Sequence, residues 1–322
     1  MSLLLLILTF GLATSLTLPA PAAVRPARVA LSGLDGDDFR HPLDRDLTAL
    51  VQALPGGGLA QAAVRRTFPA IEQSVRLDLL STSLKVSPQQ LPELHGLLLD
   101  ACRVLDFGDN PATLPELYVQ SNPQANAYTL AVRGRATSPI VVVTSALLDA
   151  CTELEIQAVI GHELGHLKCE HSLYLTLGGL AAAPVRNLPL VGSSVDTALQ
   201  RWRLAAEYTC DRAAMLVAQD SKVVAGALLK LVAGTGKYAM STEAFVAQCV
   251  EYDELLKSAN PMVRQSIRRQ QRSHPLPVRR VSELEVWAKS DEYKSILKTR
   301  GVELVNPAAG GAAVSEEVAV PV

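Results

Sequence analysis

The sequence predicts an α+β fold, mostly helical, with a small β-sheet lying beside one central helix. Three observations carry this expectation. Apolar residues recur at three- and four-residue spacing through "LTALVQAL" and "LPELHGLLLDACRVL". The runs "PELYVQ", "NAYTLAV" and "PIVVVTS" are short, β-branched or aromatic, and bounded by Pro, Asn and Gly, as strands are. Thr152 and Glu155 form an S/T-x-x-E capping box directly before the apolar run "IQAVIGHELGHL", which marks the start of a helix.

In chain order, the first 34 residues stand apart. "MSLLLLILTFGLATSLTLPAPAAVRPARVALSGL" has no acidic residue before Asp35 and passes from an apolar core through small residues to Arg25 and Arg28. A signal-like core followed by an Ala/Arg-rich, acid-free segment reads as a plastid-import leader. A simple secretory signal and an uncleaved membrane anchor are the alternatives. A folded domain is expected over residues 35–305, and the low-complexity run "NPAAGGAAVSEEVAVPV" over 306–322 reads as a disordered tail. Within the domain, helices punctuated at Pro55, Pro88 and Pro111 lead to the three strands. The capped helix then runs from about residue 153 into the 170s. "LTLGGLAAAPVRNLPLVG" is broken by Gly and Pro and reads as a helix end with a loop. Further helices carry "TALQRWRLAAEYTCDRAAMLVAQD" and "KVVAGALLKLVAG".

Composition narrows the function. Hydrophobic residues make up 48% of the 322 and aromatics 4%, so the core is built mainly of Leu, Val and Ala. A net charge of −2 does not suit a nucleic-acid binder. The five cysteines, Cys102, Cys151, Cys169, Cys210 and Cys249, show no CxxC spacing, which argues against both a disulfide scaffold and a four-cysteine zinc site.

The chemistry concentrates in "HELGH". His162 and His166 are four apart, so on a helix they share one face with an offset of about 40°. With Glu163 between them they form H-E-x-x-H, the spacing at which two neutral imidazoles bind Zn²⁺ and a neighbouring carboxylate serves as general base. His171 would lie about 140° around the same helix, on the opposite face, and reads as a bystander. A third ligand has to come from elsewhere. In "RLAAEYTCD", Arg203, Glu207 and Asp211 follow one another at i, i+4 steps. By spacing alone they read equally as a charged surface ladder, or as a Glu ligand with an Asp that orients a histidine.

The combination of "HELGH", "RLAAEYTCDRAA" and a later "SHPLPVRRVSEL" resembles the HtpX-like and CAAX-prenyl-protease-type family of zinc metallopeptidases. "NPQANAYTLAV" with "PIVVVTSALL" matches its strand region, and the likeness is nearest to the plastid and cyanobacterial branch. This resemblance implies a gluzincin-like peptidase domain with one Zn²⁺ per chain, held by His162, His166 and Glu207. It implies Glu163 as the base, Asp211 behind a ligand, and protein or peptide substrates. The transmembrane helices of many relatives are not evident in this sequence. His274 in "SHPLP" is expected to reach the cleft as a catalytic group, or else to pack a loop beside Pro275. Arg203 is expected to support the ligands. Asn126 is expected to flank the cleft where an edge strand pairs with substrate, while Tyr128 reads rather as part of an ordinary turn-to-strand junction. The six arginines between Arg264 and Arg280 read either as contacts to anionic lipid at a thylakoid or plastoglobule surface or as a solvated helix face. His41 and His95 read as structural. A peptide deformylase also uses HExxH, but its Gly-Cys-Leu context is absent. The remaining alternative is a non-proteolytic scaffold in which zinc merely ties two helices together.

Overall fold

The computed structural model describes residues 29–303 except 109, 111–112, 131–137, 185, 187–190, 235–237 and 271–273. Most of the leader and all of the tail lie outside the described residues. The leader's expected end at residue 34 is corrected, however. Val29–Leu31 forms strand β1, and Leu31 and Leu34 are buried in the core. No local pattern announces this strand, because the strand it pairs with, Gly301–Glu303, lies far along the chain.

After β1 come α1 (Gly36–Phe39), α2 (Pro42–Gln52), α3 (Gly57–Thr82), β2 (Leu84–Lys85) and α4 (Pro92–Val104). β3 (Glu116–Gln120), β4 (Ala127–Leu130) and β5 (Ile140–Thr144) follow, in the positions the sequence suggests. These strands make a sheet of order β2-β3-β5-β4, parallel between β3 and β5 and antiparallel elsewhere. β5 is buried on both faces. Val141 and Val143 join the main core with α4, whereas Ile140 and Val142 pack with Tyr118 and Leu79 of α3. A strand covered on both sides reads as a continuous apolar run, which is why "IVVV" lacks alternation. β4 is left at the sheet edge.

The site helices come next: α5 (Ser145–Ala150), α6 (Glu153–Lys168), α7 (His171–Ala182), α8 (Val191–Ala218) and α9 (Ser221–Ala233). α6 begins as the capping box requires. Glu155 N donates to Thr152 Oγ1 at 3.4 Å, and Thr152 N donates back to Glu155 Oε2 at 2.7 Å. α6 stops earlier than the sequence suggests. Cys169 caps it, and Glu170 takes a left-handed φ of 51° before α7 starts at His171. α10 (Thr242–Ser258), α11 (Pro261–Gln270), α12 (Pro277–Ala288), α13 (Asp291–Arg300) and β6 (Gly301–Glu303) complete the domain, with β6 pairing antiparallel with β1. Among the described residues no single helix is long and apolar enough to cross a membrane.

Candidate metal centre

α6 carries His162 and His166 one turn apart, and α8 brings Glu207 up to them. The two helices approach closely because α6 offers glycine on the shared face. A Cβ at Gly161 would stand 2.8 Å from Val217 Cγ2, and one at Gly165 would stand 2.8 Å from Ala213 Cβ and 3.1 Å from Cys210 Cα. The glycines flanking "HEL" therefore set the helix spacing on which the site depends.

At that spacing His162 Nε2 lies 3.5 Å from Glu207 Oε2, and His166 Nε2 lies 3.6 Å from Glu207 Oε1. Two ligands on one tetrahedral Zn²⁺, each about 2.0–2.2 Å from the ion, stand roughly 3.4 Å apart. Each imidazole thus stands at ligand-to-ligand spacing from one oxygen of Glu207. Cys210 is a competing donor, since its sulfur also groups with both imidazoles within 4.8 Å. Its thiol also lies 3.6 Å from His171 Nδ1, and burial pushes its pKa well above the usual thiol value. The Glu207 carboxylate is the alternative third donor, with one oxygen toward each imidazole.

The other ring nitrogens are already committed. His162 Nδ1 donates to Asp211 Oδ1 at 3.1 Å. Asp211 is in turn gripped by Arg280 of α12, whose Nε donates to Oδ2 at 2.8 Å and Nη2 to Oδ1 at 2.5 Å. His166 Nδ1 faces His171 Nδ1 at 3.0 Å. Both Nε2 atoms thus remain for a cation.

Electrostatics separates the two imidazoles. Burial drives the His166 pKa down to about 3. At His162 burial acts in the same direction, but the Asp211 and Glu207 carboxylates outweigh it and lift the pKa to about 9. Glu207 is buried too, yet its hydrogen bonds to His162 and His274 hold it well below the usual carboxylate range. Glu163 moves the other way. Burial, reinforced by the Glu207 charge and only partly offset by His162, raises its carboxyl to about 7. Glu163 makes no hydrogen bond to a described residue, which leaves its oxygens available to a substrate or water.

His274 Nδ1 donates to Glu207 Oε2 at 2.7 Å, and its side chain is 61% exposed at the rim. The structure therefore gathers His162, Glu163, His166, Glu207, Asp211 and His274 in one place. Asn126 stands just before β4, where its N donates to Thr144 Oγ1 at 2.9 Å and brackets that edge strand to β5. Two expectations need correction. Arg203 is exposed on α8, and the arginine that reaches Asp211 is Arg280. Sequence reasoning placed Arg280 in a run of surface arginines; the signal that singles it out is that α12 buries it at 11% exposure against a carboxylate. His171 is not a bystander, because the break at Glu170 turns it back onto His166, with ring centroids 5.0 Å apart. His41 is structural, accepting from Leu43 N at the start of α2.

A helical domain with a small mixed sheet and an HExxH helix facing a glutamate helix defines a metal-dependent peptidase. Residues 88–288 match the model of peptidase family M48, and the chain belongs to that family. It is a metallopeptidase acting on peptide or protein substrates. It is 41% identical over 286 residues to the plastoglobule-localized metallopeptidase 48, chloroplastic, of Arabidopsis thaliana, covering 87% of this chain and 80% of that protein. A protease HtpX homolog of Moorella thermoacetica is 36% identical over 110 residues, about a third of each chain (34% and 34%). One from Gemmatimonas aurantiaca is 25% identical over 235 residues, 63% of this chain and 78% of that one. No solved structure matches.

Proposed function

We propose that this chain is a zinc-dependent endopeptidase of the plastid, with His162, His166 and Glu207 as the ligands of one Zn²⁺. The observation that carries the reading is the approach of two Nε2 atoms to the two oxygens of Glu207, beside Glu163, which has no hydrogen-bond partner among the described residues. When bound, zinc supplies the Lewis acidity that polarises a scissile carbonyl and a water. Glu163 accepts the proton of that water and delivers it to the leaving amine, a task suited to a carboxyl poised near 7. Asp211, locked by Arg280, holds His162 in the tautomer that presents Nε2. His274 fixes Glu207 through Nδ1 and has no described partner at Nε2, so it can donate to a substrate oxygen at the rim. Substrate backbone adds to the edge of β4, the outer strand of the sheet among the described residues, entered at Asn126.

Plastid location rests on the relative's printed location and on the acid-free leader. Contact with an anionic lipid surface suits exposed Met262 and Val263 beside Arg264 on α11.

The deciding experiment is Glu163→Gln in the full chain. It is expected to bind Zn²⁺ as the parent does and to lose cleavage of an unfolded protein by about 10²- to 10⁴-fold. A variant that still cuts at the parental rate removes Glu163 from the mechanism. A parent that binds zinc and cuts nothing leaves the scaffold reading instead.

A further inference from the structure

We infer that Asp44 and His171 form a buried hydrogen-bond relay that fixes the tautomer of His166 and so presets its Nε2 for metal. The inference rests on the ligand reading of His166 given above, and it makes Asp44 and His171 positioning residues.

The relay is a consequence of chain geometry. Because α6 ends at Lys168 and Glu170 adopts φ 51°, α7 restarts in a new direction with His171 as its first residue. His171 meets His166 edge-on, at an interplanar angle of 77°, with the two Nδ1 atoms 3.0 Å apart. Its Nε2 lies 3.0 Å from Asp44 Oδ2, on α2. Neither partner sees solvent: His171 is 2% exposed and Asp44 0%. Asp44 also accepts from Trp202 Nε1 at 2.8 Å, Thr209 Oγ1 at 2.8 Å, Arg40 Nη1 at 3.1 Å and Thr48 Oγ1 at 3.3 Å.

The direction of each hydrogen bond follows from what each group can do. An ionised carboxylate paired with Arg40 only accepts, so His171 must carry its proton on Nε2. With its single proton directed from Nε2 to Asp44, a His171 ring offers only an acceptor at Nδ1. His166 must therefore donate from its own Nδ1, which leaves the lone pair on Nε2 bare, and Nε2 is the atom that faces Glu207. The reverse polarity would require a doubly protonated His171 and would put a proton on His166 Nε2, where no metal could bind. An ordinary arrangement has a carboxylate touching the ligand histidine directly, as Asp211 touches His162. Here an extra imidazole transmits the same instruction across one more ring.

The test uses the full chain, Zn²⁺ and a chromophoric competing chelator. His171→Leu and Asp44→Asn are each expected to weaken Zn²⁺ binding by about 10- to 100-fold. The double variant should bind no more weakly than His171→Leu alone, because Asp44 acts on the metal only through that ring. Additive losses in the double variant, or parental affinity in either folded single variant, overturn the relay. His166→Ala separates this inference from the ligand reading. If it abolishes binding while His171→Leu does not weaken it, the relay fails and the ligand stands; parental affinity in His166→Ala removes both. Should the variants not fold, nitrogen NMR of the histidine-labelled parent without added metal reads the tautomers directly. Protons on His166 Nδ1 and His171 Nε2 are expected, and a proton on His166 Nε2 overturns the relay.

Discussion

The two imidazoles that face Glu207 are backed in opposite ways. His162 rests directly on an ion pair, Asp211 with Arg280, contributed by α8 and α12. His166 rests on a second imidazole, and only behind that on a carboxylate, contributed by α7 and α2. The first support concentrates its strength in one guanidinium. The second spreads it, since Asp44 takes hydrogen bonds from five side chains. A concentrated support fails when its one partner is removed, whereas a distributed one degrades step by step.

The largest expected effect follows from that contrast. Arg280→Leu leaves Asp211 as a buried charge without its cation, and this should destabilise the fold by about 3–5 kcal/mol in urea titrations and weaken Zn²⁺ binding. Arg40→Leu is the matched change on the other side. Asp44 keeps His171, Trp202 and Thr209 as donors, so the cost should be clearly smaller. Equal costs for the two variants would erase the distinction between the two supports.

A smaller effect should fall on both sides alike. Gly165→Ala inserts a methyl 2.8 Å from Ala213 Cβ and 3.1 Å from Cys210 Cα, where backbone rather than a flexible tip has to yield. Overpacking of this kind costs about 1–3 kcal/mol. Because it pushes α6 from α8, it should also lower Zn²⁺ affinity. An unchanged melting temperature together with parental affinity would show that the helix spacing does not set the site.

The same contrast explains what was legible in the sequence. His162, Glu163 and His166 follow from one helical turn; Asp211 stands one turn beyond Glu207, but spacing leaves that pair equally a surface ladder, and the family resemblance singles it out. The strands were equally legible, because "ELYVQ" and "IVVVT" carry β-branched residues between breakers. The relayed half was not. Asp44, His171 and Thr209 come from three separate segments. The turn that joins them has no glycine or proline to announce it, only Glu170 at φ 51° with its carboxylate held by Arg65 at 2.8 Å. Arg280 was hidden for the opposite reason: it sits among several arginines, and only burial distinguishes it. β1 was missed because a three-residue strand needs a distant partner to exist.

The smallest effect concerns pH and tests the distributed side alone. His41 opens α2, the helix that carries Asp44, and its Nδ1 must stay unprotonated to accept from Leu43 N at 3.3 Å. Burial, aided by the nearby Arg212 cation, lowers its pKa from 6.5 to about 4. Because the folded pKa lies below the unfolded one, its contribution to stability is complete above pH 6.5. It is lost as pH falls from 6.5 toward 4. The ring is partly open to water, so the loss should be on the order of 1 kcal/mol or less. The parent alone cannot show it, because Glu163, raised to about 7, is relieved of its burial cost over an overlapping range and contributes the opposite slope. The difference between parent and His41→Asn removes that common part. Asn keeps an acceptor at the N-cap and does not titrate in this range. The parent's advantage over the variant in urea midpoint should therefore shrink steadily as pH falls from 6.5 to 4. If the advantage stays constant, His41 is not held neutral by the fold, and the start of α2 is not the acid-sensitive end of the support behind His166.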